Sequence, residues 1–261
     1  MAFDTYIKRV LKSAARPALR LYSGSPDLRV DNDPKRVAVG ESYSQFGQDC
    51  FVFNEIFKGR KNGYFVDVGG SHPTKMNNTY LLEINGWEGI AFEPQEHLRS
   101  LWPTKRRARC LHHVIGATNS TVVFFEGERG ENGLSGVDGY NKCSQGYKKI
   151  EMEQRSLESI FDEYGIKKVD YLSIDVEGYE MNVLRGIDFS RVEIRLIGVE
   201  NDSGFGCLPV IGGALGRQLG DNRLRAFLRQ KGYRFVARVF CDDFFLKEDR
   251  DNRRGTLPDF P

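Results

Sequence analysis

Tyr64-Phe65-Val66-Asp67-Val68-Gly69-Gly70-Ser71-His72-Pro73 passes from an apolar run, through one acid, into a turn of small residues. An apolar run of this kind reads as a buried parallel strand. Asn78 to Asn85 then reads as a helix. Glycines at a strand end let the backbone come close to a ligand, because no Cβ stands in the way. The unit marks a place for a nucleotide-like cofactor. Small-residue turns after strands are common, so the next strand matters.

That strand, Gly89-Ile90-Ala91-Phe92, ends at Glu93, which stands 26 positions past Asp67. In a strand–helix–strand unit, an acid about 20 residues beyond the glycines accepts hydrogen bonds from ribose hydroxyls. Pro94 stops the strand because it has no N–H to give a ladder. Two more apolar strands end in acids: Tyr171 to Ile174 at Asp175, and Ile194 to Val199 at Glu200. Ligands of open α/β sheets sit at the carboxyl ends of strands.

Upstream, Met1 to Tyr22 reads as a basic amphipathic helix, with Phe3, Ile7, Val10 and Leu11 on one face and Lys8, Arg9, Lys12, Arg16 and Arg20 around it. It lacks the apolar core of a secretory signal. Such a helix suits packing on its own domain or on a second copy of the chain, and it also suits an anionic membrane surface. Ser23 to Gly40 reads as a linker, so residues 1–40 form an extension, 41–250 the main domain and 251–261 a polar tail. Ser44 to Asp49 is a polar lead-in to an apolar helix, Cys50 to Phe57, with Asp49 suited to its N-terminus.

Downstream of Glu93, the pattern predicts a helix from Gln95 to Trp102 stopped by Pro103, a third strand from Ala108 to Ile115, and Thr121 to Phe125 as its hairpin partner. Glu126 to Lys149 is polar and without a period, a long excursion of the kind that carries function. Ser156 to Tyr164 and Asn222 to Gln230 have helical spacing, and Ser203 to Gly220, glycine-rich, suits a lid. Tyr233 to Phe240 and Phe244 to Lys247 read as two antiparallel strands.

The net charge of +2 over 261 residues gives no basic face for nucleic acid. Five scattered cysteines, with no Cys-x-x-Cys, argue against a zinc site or a disulfide framework and suit a reducing cytosol. A cytoplasmic protein, peripheral to a membrane if its first helix binds one, is the expectation.

Three segments carry a family resemblance. They are Ser44-Gln45-Phe46-Gly47-Gln48-Asp49, the run Tyr64 to Pro73 with Asn78-Thr79-Tyr80-Leu81-Leu82-Glu83, and Leu172-Ser173-Ile174-Asp175-Val176-Glu177-Gly178-Tyr179-Glu180. Together they resemble the FkbM methyltransferases. The resemblance implies a Rossmann-like class I methyltransferase fold: α/β, with a mostly parallel seven-stranded sheet and a C-terminal antiparallel hairpin. It implies S-adenosyl-L-methionine as cofactor and methyl transfer to a hydroxyl of a small molecule, sugar or glycan. By position, Asp67, Gly69, Gly70 and Ser71 hold the methionine part, Glu93 the ribose, and Asn78 and Thr79 order the adjoining helix.

Methyl transfer to a hydroxyl needs an aligned acceptor and a group to take its proton. Asp175 and Glu177 flank a strand end and are the candidate catalytic pair; Glu177 alternatively caps the next helix. His72 is a candidate base or a structural hydrogen-bonder. Asp175, Glu177 and Glu200 are ligands that hard cations favour, but spacing establishes no metal site and none is assigned. Two other readings stand beside this one. A dinucleotide oxidoreductase on the same fold would prefer a full Gly-x-Gly-x-x-Gly. A non-catalytic scaffold would engage a glycan-assembly partner through the first helix.

Overall fold

A computed structural model describes residues 42–127, 135–140, 147–201, 222–239 and 241–248. The first helix and linker, the glycine-rich stretch Ser203 to Gly220 and the polar tail lie outside the described residues.

The described residues build two sheets. The larger has seven strands: β1 (Tyr64–Val68), β2 (Glu88–Phe92), β3 (Arg109–Leu111), β8 (Lys168–Ile174), β9 (Glu193–Glu200), β10 (Tyr233–Val239) and β11 (Asp242–Lys247). Their order is β10-β11-β9-β8-β1-β2-β3. β9, β8, β1, β2 and β3 run parallel, and β11 is antiparallel to both neighbours. The direction of connection changes between β1 and β8, which makes their shared tip the switch point of the sheet.

Side chains alternate across each strand and sort into two apolar layers. Val66, Val68, Leu172 and Ile174 pack on one face with the helices Leu157–Tyr164, Glu180–Arg185 and Asn222–Gln230. Phe65, Ala91, Tyr171, Leu196 and Phe244 pack on the other with Val52, Ile56, Leu82, Trp87 and Trp102. Continuing the alternation places Asp67, Glu93, Asp175, Glu200 and Asp242 on this second face.

The smaller sheet is β4 (Val114–Gly116), β5 (Ser120–Glu126), β6 (Gly136–Val137) and β7 (Lys148–Ser156), in the order β4-β7-β5-β6. The expected single sheet with a terminal hairpin is therefore met in part. β10 and β11 are antiparallel, but a second sheet stands beside the first. Three local expectations fail. The run Ala108 to Ile115 splits between the sheets at His112, whose Nε2 lies 2.6 Å from the Pro94 carbonyl oxygen. β5 pairs with β7, not with the third strand. The expected polar excursion, Glu126 to Lys149, runs into this partner, whose alternation of charged and apolar residues from Lys149 to Glu153 is that of a strand with one face exposed.

Pro103 does not stop a helix. It sits in the first turn of the helix Trp102–Lys105, where a missing N–H costs nothing, after a separate short helix, Glu96–Arg99. The lead-in to β1 is a turn of α-helix, Gln48–Cys50, that widens into a π-helix, Phe51–Ile56. Among the described residues no helix is long and apolar enough to cross a membrane.

Candidate active site

The turn after β1 is closed by its neighbours. The Gly69 and Gly70 amides both donate to the Phe92 carbonyl oxygen at 3.0 Å. Gly69 has φ +84, and a Cβ there would lie 1.8 Å from the Asp175 carbonyl oxygen. No other residue fits. At Gly70 a Cβ would meet the Trp102 ring at 2.7 Å, and the same indole donates to the Ser71 carbonyl oxygen at 3.0 Å.

Beneath the turn lies a buried polar network. The Thr79 hydroxyl donates to Asp67 Oδ2 at 2.7 Å. Burial raises the Asp67 carboxyl, opposed by Thr79, Arg106 and Asn77. Asn77 donates from Nδ2 to the Gly70 carbonyl oxygen at 2.9 Å, while its Oδ1 accepts from the Tyr80 amide at 2.8 Å. Arg106 donates to Glu83 Oε2 (2.8 Å), the Pro73 carbonyl oxygen (2.8 Å) and Asn77 Oδ1 (3.0 Å), and it stacks over Trp102 at 4.5 Å. Asn77, Glu83 and Arg106 were not among the expected site residues. An Asn three positions before a helix's first turn is a capping signal that marks Asn77. Asn78, which was expected, makes a longer contact to Ser173 Oγ at 3.4 Å.

Glu93 is 3% exposed and accepts from its own surroundings: the Ser71 amide at 2.7 Å and the Gln95 amide at 2.8 Å. Burial pushes its carboxyl up to about 7 against those two bonds. The Gln95 side chain opposes that rise as well.

His72 faces the loop that follows it. Its Nδ1 accepts from the Thr74 and Lys75 amides, both at 3.2 Å, and its burial together with Lys75 and Lys105 lowers its pKa. The acceptor nitrogen is thus engaged, and a neutral ring carries its proton on the other one.

Across the switch point stands the turn after β8. Asp175 donates its amide to the Val68 carbonyl oxygen at 2.9 Å, so it is level with Gly69. Strand register sets Glu200 beside it and Asp242 opposite Glu200. Asp175 and Glu200 thus stand side by side as buried carboxyls, a placement that disfavours ionising both. Burial and the charges of Asp175, Glu177, Glu180 and Asp242 drive Glu200 far above the ordinary carboxylate range. Asp175 is raised by its own burial. Asp242, pushed up to about 7 by burial and by Asp175, accepts from Gln48 Nε2 at 2.6 Å. The polar lead-in thus reaches the strand tips from 194 residues away. Asp49 organises that lead-in, accepting from Ser42 Oγ and the Tyr43 amide, both at 2.7 Å.

Glu177 has φ +57, in the left-handed region, and Gly178 follows at φ +102. Glu180, the first residue of the next helix, closes this turn by accepting from the Gly178 amide at 2.8 Å, and burial raises it to about 7. Among the described residues no group of three or more His, Cys, Asp or Glu converges to hold a metal ion, so Asp175, Glu177 and Glu200 are not brought into one.

The tips therefore present acceptors and negative charge. That suits a cation and vicinal hydroxyls, and it opposes a pyrophosphate, for which the turn's amides at Gly69, Gly70 and Ser71 are already committed. A concavity of about 470 Å³ opens elsewhere, lined by Tyr80, Ile84, Pro103, Thr104, Lys105 and Arg107 above the Arg106–Glu83 pair. It lies off the strand tips, and we place the site by the topology and the carboxyls.

The family model described as "Methyltransferase FkbM domain" matches residues 67–235. The match starts at Asp67 and takes in Glu93, Asp175, Glu177 and Glu200. No curated protein and no solved structure matches the chain.

Proposed function

The chain belongs to the FkbM methyltransferase family, and from that premise we propose that it moves a methyl group from S-adenosyl-L-methionine to a hydroxyl of a sugar or glycan. The seven-stranded sheet is read as the Rossmann-like class I scaffold of that chemistry. When bound, the cofactor supplies an electrophilic methyl on a sulfonium cation. Glu93 would accept from the two ribose hydroxyls, and the turn Asp67 to Ser71 would lie along the amino-acid end. Thr79 and Asn77 fix Asp67; Arg106 fixes Asn77.

Asp175 takes the acceptor's proton. Glu200 keeps the proton of the pair, which leaves Asp175 the charged partner, with an affinity raised toward neutrality by burial. A base tuned in this direction is suited to work near neutral pH. Glu177, on the same turn, orients the acceptor. The observation that carries the reading is the run of carboxyls at neighbouring strand tips, facing the switch point.

The test is transfer of labelled methyl from S-adenosyl-L-methionine to a panel of glycans, with calorimetry against S-adenosylhomocysteine and NAD. We expect an O-methyl ether product, S-adenosylhomocysteine binding and no NAD binding. Asp175→Asn should lower kcat by about 10²–10⁴-fold with cofactor affinity intact. NAD binding would favour the oxidoreductase. Binding of neither ligand would favour a scaffold.

A further inference from the structure

Tyr140 stands at the end of the short β6 turn, and 51% of its surface is exposed. A lone exposed aromatic is ordinary. The way this one is held is not. Its amide donates to the Val137 carbonyl oxygen at 3.1 Å. Its ring meets the Tyr179 ring edge to face, with centroids 4.6 Å apart at 81°. Tyr179 is buried, and its hydroxyl donates to Gln154 Oε1 at 2.8 Å. Gln154 is anchored in turn, donating to the Thr118 carbonyl oxygen at 2.8 Å and Ser120 Oγ at 3.2 Å.

The place it is held is the turn of the candidate base. Gly178 lies three residues past Asp175, and a Cβ on it would come within 2.9 Å of the Tyr140 carbonyl oxygen. Val176, in the same turn, reaches to 3.3 Å from the Cβ position of Gly69. The turn after β1 is thus packed against the turn after β8, and that turn against the backbone of Tyr140, whose ring is half exposed.

Rigid aromatic rings line ligand sites because they offer a broad apolar face with few torsions to freeze. A pyranose presents a matching face of C–H bonds and keeps its hydroxyls at the rim. We propose that Tyr140 is the acceptor platform: one face of the sugar stacks on its ring, and a rim hydroxyl is thereby directed toward Asp175. This rests on the reading of the chain as a sugar O-methyltransferase, and it names the residue that selects the acceptor.

The test uses the full chain, with and without S-adenosylhomocysteine, and saturation-transfer NMR on methyl glycosides of glucose, galactose, mannose and rhamnose. At least one glycoside should receive saturation at its ring C–H protons. Tyr140→Phe should preserve the signal, and Tyr140→Leu should reduce affinity at least tenfold with an unchanged melting temperature. Equal affinity in Tyr140→Leu, or no signal from any glycoside, overturns the platform. Failure of S-adenosylhomocysteine to bind in calorimetry would instead strike the methyltransferase reading, while the cofactor-free NMR arm still decides Tyr140.

Discussion

The two turns that face each other at the switch point are built in opposite ways. The turn after β1 is packed to the limit: Gly69 has no room for a methyl group, Trp102 seals Gly70, and Asn77, Arg106 and Glu83 tie the chain beneath. The turn after β8 carries more charge. Glu177 sits at positive φ, Gly178 follows it, and the carboxyls of Asp175 and Glu200 are buried side by side. One side is shaped to hold a ligand without moving. The other keeps like charges together at a cost in stability, as sites of chemistry commonly do.

The contrast is broken most severely at Gly69. Gly69→Ala puts a methyl group on the Asp175 backbone at an unfavourable φ, and we expect a loss of more than about 3 kcal/mol, read as a failure to fold or a collapse of the urea midpoint. Arg106→Met comes next. It strands the buried Glu83 carboxylate and should cost about 3–5 kcal/mol. Asp175→Asn should do the reverse of both, with the midpoint unchanged or raised because it removes a charge from Glu200, even as turnover falls.

A smaller effect depends on pH. Glu93 titrates near 7 in the folded chain against 4.5 ordinarily. Between those values the folded state binds more protons than the unfolded one, so stability falls as pH rises through the window. Glu93→Gln should flatten this slope by on the order of 1–3 kcal/mol in urea melts from pH 4.5 to 7. The least effect is at His72. His72→Ala should loosen the loop by about 1 kcal/mol and leave kcat within about twofold, because the ring's acceptor nitrogen serves Thr74 and Lys75. A kcat loss of a hundredfold would return the base role to His72.

The strand tips were legible in the sequence because a strand that ends in an acid announces both its burial and its end. Asp67, Glu93, Asp175 and Glu200 all followed from that. What holds them did not. Arg106 lies within Lys105-Arg106-Arg107, a charge run that reads as a solvated face, and only tertiary packing buries its middle member. Asn77 and Asn78 are equivalent until the helix start fixes which one caps. Gln48 and Asp242 meet over 194 positions, beyond any local pattern. β7 is obscured for a different reason: its first residues, Lys148 and Lys149, continue the polar stretch before it, so the alternation that marks a strand starts late.

The account stands on Glu93 holding the cofactor's ribose while Asp175 acts on the acceptor. Calorimetric titration of S-adenosylhomocysteine into the wild type, Glu93→Ala and Asp175→Asn tests this directly. The account predicts one site per chain, a loss of about tenfold to a hundredfold in affinity for Glu93→Ala, and wild-type affinity for Asp175→Asn. Undiminished binding by Glu93→Ala would contradict it.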